Sequence, residues 1–232
     1  MYYGFDYTYV FVLIAVLISY WASSRVTNVF NKYKNLKSSS AITGSQLARF
    51  ILDSNGLQHI KIEHISGNLT DHYDPSSKTV RLSDCVYSSM SIAAIGVAAH
   101  ECGHAVQDKE KYSPLIWRSS LVPVVNICSR IGIPVIILGL IIGLTGISKL
   151  GIILFSSGVV FHLVTLPVEF DASSRALAAL KQYKILNQDE VQKCREVLSS
   201  AAFTYVASAV GSILQLLRLV LINRSNSRRI DH

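Results

Sequence analysis

The chain has 232 residues, 50% of them hydrophobic and 16% charged, with a net charge of +7. Its mean hydropathy of +0.36 is too high for an ordinary soluble fold, so membrane residence is expected. The basic residues lie in juxtamembrane stretches with no aromatic-interleaved basic patch, which excludes nucleic acid as the natural partner and points to anionic lipid.

The first apolar run, residues 7–21, reads as a retained membrane anchor. It has no basic stretch before it and no small-residue cleavage site, and Arg25, Lys32, Lys34 and Lys37 follow it closely. Those cations, set against a base-free segment 1–6, orient the N-terminus outward and residues 25–118 toward the cytoplasm. Residues 31–40 form a polar linker, and 45–54 a short helix closed by Asn55-Gly56. Residues 60–65 alternate as a strand and 79–82 as a second, with turn formers between them, giving a small β-hairpin. Its edge is either purely structural or a place for an extended peptide to bind. His59, His64 and His72 have no partner at metal-binding spacing and read as surface or turn residues.

A small-residue apolar helix over 91–99 leads into His100-Glu-Cys-Gly-His104. Residues four apart lie on one helix face, about 6 Å apart along the axis, so one cation is within reach of both imidazoles. Glu101 follows the first ligand directly and can take a proton from water at an open coordination position. A buried helix with three such polar groups needs partners for them, and a single Zn²⁺ supplies one for all three. Cys85, Cys102, Cys128 and Cys194 show no paired metal spacing and read as small buried hydrophobes, kept reduced in the cytosol.

A second span ends near residue 147 and a third covers 151–168, joined by a tight turn at 145–151. The hairpin returns the chain to the cytoplasmic side, where a third ligand can meet the histidines. Glu169 is the best candidate. His162 lies seven residues earlier, about 10 Å along a straight helix, too far for both to hold one ion. Asp171 either pairs with Arg175 four residues on or fixes a ligand imidazole. Asn187 to Glu190 opens another helix with a capping pattern. Residues 203–222 carry one polar stripe, and the basic tail after them argues against a crossing, so an amphipathic surface helix is expected there.

Four stretches in order, Leu-Thr-Asp-His-Tyr-Asp-Pro from 69, His-Glu-Cys-Gly-His-Ala-Val-Gln from 100, Glu-Phe-Asp-Ala-Ser from 169 and Thr-Tyr-Val-Ala from 204, resemble the YugP-type neutral zinc metallopeptidases of bacterial membranes. The similarity covers nearly the whole chain. It implies a multi-pass membrane zinc peptidase, more distantly similar to the HtpX and CAAX prenyl endopeptidases. In those relatives a Glu after a transmembrane hairpin is the third ligand, which maps onto Glu169. They carry an Asp four residues later, whereas this chain has Ser173.

The combined expectation is a mainly α membrane protein with a zincin-like metal helix, a small β-hairpin, three transmembrane helices and a C-terminal amphipathic helix. Its parts are an anchor (1–22), a cytoplasmic strand pair and metal helix (23–115), a transmembrane hairpin (116–168) and a third-ligand and amphipathic segment (169–232), working as one catalytic unit. Expected ligands of one zinc ion are His100, His104 and Glu169, with Glu101 as general base and acid. Tyr205 and Arg175 are candidate oxyanion donors, recognisable only by geometry. The expected substrate is a peptide or membrane protein at the cytoplasmic face of the cell membrane. The competing reading is a scaffold or transport protein whose metal is structural, in which Glu101 only packs.

Overall fold

The computed structural model describes residues 7–230, with side chains through residue 226. The base-free segment 1–6, from which the outward N-terminus is expected, lies outside the described residues. In chain order the elements are α1 (Tyr9–Tyr33), α2 (Gly44–Ser54), β1 (Lys61–Ile65), β2 (His72–Asp74), β3 (Thr79–Ser83), α3 (Asp84–Tyr87), α4 (Ile92–Lys109), α5 (Ser113–Ile141), α6 (Thr145–Gln182) and α7 (Gln188–Ile230). Two compact units divide the chain: Met1–Ala22, Trp117–Leu166 and Thr204–His232 form one, Ser23–Ile116 and Pro167–Phe203 the other.

The first unit is apolar helix packed on apolar helix. Between α5 and α6 the approach is so close that a Cβ on Gly139 would lie 2.3 Å from the Ser148 backbone nitrogen, and one on Gly151 2.8 Å from the Gly132 carbonyl. Small residues serve this purpose between membrane helices, where backbone approach replaces hydrophobic driving force. The reversal between the two helices falls at 142–144, not at 145–151 as expected, because Gly143 takes the left-handed conformation (φ 74°) just beyond the end of α5. Ile127, Leu138, Ile141 and Ile153 point outward, as lipid-facing side chains do.

Four helices, α1, α5, α6 and the Gln188–Asn226 part of α7, are long and apolar enough to cross a membrane, one more than expected. The polar stripe of α7 misleads because its serine hydroxyls find partners on their own helix. Ser208 Oγ donates to the Thr204 carbonyl at 2.9 Å and Ser212 Oγ to that of Ala209 at 2.8 Å. The Arg218 guanidinium lies 4.5 Å from the Tyr9 ring centroid, and Asn223 accepts from the buried Ser148 hydroxyl. If all four cross, both chain ends lie on one side of the bilayer. Tags at the two ends should therefore be digested by protease added to the same side of sealed vesicles, and digestion from opposite sides would restore the three-span count.

The second unit is built around α4. Leu47, Leu52, Ile60, Val80, Leu82, Ile92, Ile95 and Leu180 form its aliphatic core, and Ala94, Ala98 and Cys102 of α4 lie inside it. A capping box starts α2, with the Thr43 hydroxyl accepting from Gln46 N and the Gln46 side chain accepting from Thr43 N. The sheet order is β1-β3-β2. Strands β1 and β3 run parallel, so they are not the expected hairpin; β2 pairs antiparallel with β3. The hairpin lies one strand later because Asp74, at the end of β2, closes the turn, accepting from Ser76 N at 2.9 Å and from Ser77 Oγ at 2.7 Å. The long connection after β1 then permits its parallel return.

Two glycines let α4 be approached closely. A Cβ at position 96 would lie 2.7 Å from Cys194 Sγ, and one at 103 would lie 2.6 Å from the Ala172 carbonyl oxygen. Backbone cannot yield as a flexible side chain can, so Gly103→Ala forces α4 and α6 apart. A loss of about 1–3 kcal/mol is expected from this overpacking, read as a lowered midpoint in thermal unfolding of the detergent-solubilised chain.

Candidate metal centre

Ser91 caps α4, its hydroxyl accepting from Ala94 N at 3.2 Å, and the small apolar first turns bury the helix up to the polar cluster. His100 and His104 follow one turn apart on the same face, their ring centroids 4.7 Å apart and their planes at 83°. Across from them α6 brings Glu169, with 2% exposure. Its Oε2 lies 3.2 Å from His100 Nε2 and 3.5 Å from His104 Nε2. One ligand atom from each of the three residues falls within 4.8 Å of the others.

This donor set fits zinc. Tetrahedral bonds of 2.0–2.1 Å place neighbouring ligand atoms about 3.3 Å apart, close to the two separations between Glu169 and the rings. Two imidazole nitrogens and a carboxylate oxygen also suit zinc chemically, and three protein ligands leave a fourth position open. Burial disfavours charge on His104, but the Glu169 hydrogen bond and the Glu101 charge more than offset this, so the ring holds a proton more readily than a free imidazole. A cation bound between the three groups would replace that proton.

Glu101, next to the first histidine, is almost fully buried. Burial pushes its carboxyl above the ordinary carboxylate range; the two imidazoles oppose this, while the charges of Glu169 and Asp71 add to it. Asp71 stands in the stretch before β2 and is tied to β3, accepting from Ser83 N at 2.7 Å and from Ser83 Oγ at 2.8 Å.

Each histidine has a partner on its other nitrogen. Ser173 Oγ lies 3.1 Å from His100 Nδ1, and Gln107 Oε1 lies 3.0 Å from His104 Nδ1. Asp171 makes both contacts weighed for it in part: it accepts from Arg175 Nε at 2.5 Å, and it accepts from Gln107 Nε2 at 2.8 Å without touching an imidazole directly. Arg175 is also bound to Glu110 at 2.6 Å and lies beside the Tyr112 ring. Tyr205 and His162 belong to the other unit.

Gln107, Ser173 and Gly103 were not among the site residues expected from sequence. Helical spacing holds the signal for two of them: Gln107 is three residues after His104, and Ser173 four after Glu169, each on the face of its ligand. The close approach at Gly103 depends on α6, which no local pattern reports.

A family described as "Putative neutral zinc metallopeptidase" matches residues 8–224. "Putative membrane protease YugP" of Bacillus subtilis (strain 168) is 46% identical over 215 residues, 92% of this chain and 96% of that protein. No solved structure matches. A likeness that runs through the apolar helices as well as the histidine helix leaves one conclusion: the chain belongs to the neutral zinc metallopeptidase family.

Proposed function

We propose that the protein is a membrane-bound peptidase that holds one zinc ion on His100, His104 and Glu169 and hydrolyses peptide bonds with Glu101 as general base and acid. The observation that carries this reading is the convergence of two imidazoles and a buried carboxylate from two helices, with a second carboxylate adjoining the first ligand. Zinc, when bound there, supplies Lewis acidity toward a water and a scissile carbonyl.

The chain's own groups do the rest. Glu101 takes the proton from the attacking water and returns it to the leaving amine. Its buried setting raises its proton affinity, which suits a group that must both accept and give. His100 and His104 keep their orientation through the Ser173 and Gln107 contacts. Strand β2 pairs with β3 on one side only, and its Tyr73 hydroxyl donates to Asp108 of α4 at 2.6 Å. Its other edge suits an extended peptide added as a further strand.

The anchor (1–22), the strand and metal-helix segment (23–115), the hairpin (116–168) and residues 169–232 work together as one catalytic unit. The positive residues after the first span favour an active site on the cytoplasmic side, where peptides of membrane proteins would be the substrates. A scaffold with a purely structural metal is disfavoured by family membership.

Glu101→Gln is expected to keep its zinc and lose cleavage of a casein or membrane-derived peptide by at least about 10²-fold, the usual scale of general acid–base catalysis. His104→Ala is expected to lose both metal and activity, with metal content measured by atomic absorption on the purified proteins. Undiminished cleavage by Glu101→Gln would remove the mechanism.

A further inference from the structure

We infer that Gln107 is a positioning residue: it dictates which nitrogen of His104 carries hydrogen and ties the helix of the two histidines to the helix of Glu169. The inference rests on His104 being a metal ligand, as proposed above. Gln107 is fully buried, and the groups around it have fixed hydrogen-bonding character. Its Nε2 lies 2.8 Å from the Val168 carbonyl oxygen and 2.8 Å from Asp171 Oδ2, one acceptor for each N–H. A peptide carbonyl cannot donate, and neither can a carboxylate paired with the Arg175 guanidinium.

Turning the amide over would set Oε1 against two oxygens and leave buried groups without partners, which is costly. The orientation of the amide follows from its neighbours alone. Oε1 therefore faces His104 Nδ1 at 3.0 Å and can only accept. Hydrogen sits on Nδ1, and Nε2 faces Glu169, 3.5 Å away, as the nitrogen left to take a cation once the proton it shares with that carboxylate is displaced. His100 is held differently. Its Nδ1 meets the Ser173 hydroxyl, which can donate or accept, so that contact alone does not choose a tautomer.

The same side chain closes a circuit between two elements. From Gln107 on α4 it runs to Asp171 and Arg175 on α6, and from Arg175 back to Glu110, the residue capping the end of α4. Val168, the second acceptor, directly precedes Glu169. One buried amide thus fixes the ring of one ligand and the backbone beside another, while a charged pair outside holds the amide's acceptor in place.

The test uses the full metal-free chain in detergent micelles with ¹⁵N-labelled histidine, the His104 signals being identified by their loss in His104→Gln. With the ring neutral, the wild type is expected to show hydrogen on Nδ1 and a bare Nε2. Gln107→Met keeps length and bulk but offers no oxygen, so it should give a mixture of tautomers. Its zinc affinity, by competition with a chromogenic chelator, should fall about 10- to 100-fold. A neutral wild-type ring with hydrogen on Nε2 and a bare Nδ1 overturns the proposal without needing any variant to fold. So does a Gln107→Met protein with unchanged tautomer and unchanged zinc affinity. A wild type that takes up no zinc would remove the peptidase reading, and the tautomer of the metal-free ring would still decide the role of Gln107.

Discussion

Glu169 is a carboxylate sealed inside an otherwise mainly aliphatic packing, and a charge so placed must be met by partners of opposite character or it will not stay charged. What meets it here comes from another helix, two imidazoles one turn apart on α4. The remainder of the unit follows from that requirement. The two helices have to approach until side-chain atoms meet within a few ångströms, and a methyl group on residue 103 would already collide with the backbone of α6. The alanines that precede the histidines let α4 sink into the core, and the sheet and α2 close over its other faces.

Burial also explains the hydrogen-bond architecture around the cluster. Each imidazole has one nitrogen toward Glu169 and the other toward a polar group that does not compete for the metal position: a hydroxyl for His100, an amide oxygen for His104. The charged residues stand one step further out. Asp171, Arg175 and Glu110 neutralise one another at the edge and act on His104 only through Gln107. Such a circuit is favourable only when complete, because a partly satisfied buried network costs more than an apolar one.

The other unit answers a different solvent. Its helices leave aliphatic side chains exposed along their lengths and make their contacts through glycine, alanine and a few self-satisfied polar groups. Serine on α7 illustrates the difference between a pattern and its meaning. At steps of three and four it resembles the wet face of a surface helix, yet its hydroxyls bond to the carbonyls of their own helix, so the segment can lie in lipid. The basic residues at its end bias orientation without deciding whether the helix crosses.

Local covalent spacing made several features readable from the chain alone. The pairing of His100 with His104, the adjacency of Glu101, the capping pattern before α7 and the apolar runs all follow from helix geometry and composition, which need no knowledge of distant residues. Glu169 was reachable because it directly follows the apolar hairpin and has small neighbours that permit close packing. The parallel pairing of β1 with β3 was not, since strand order is settled by which edges meet across the fold. Nor were the contacts of Gln107 with Val168 and Asp171, of Ser173 with His100 and of Gly103 with Ala172, which lie 61 to 73 positions apart along the chain. Helix geometry alone tells which chemistry such a short stretch can carry, because its two imidazoles are neighbours on one face. Only the tertiary structure decided what completes and steadies them, because buried donors and acceptors are matched through space.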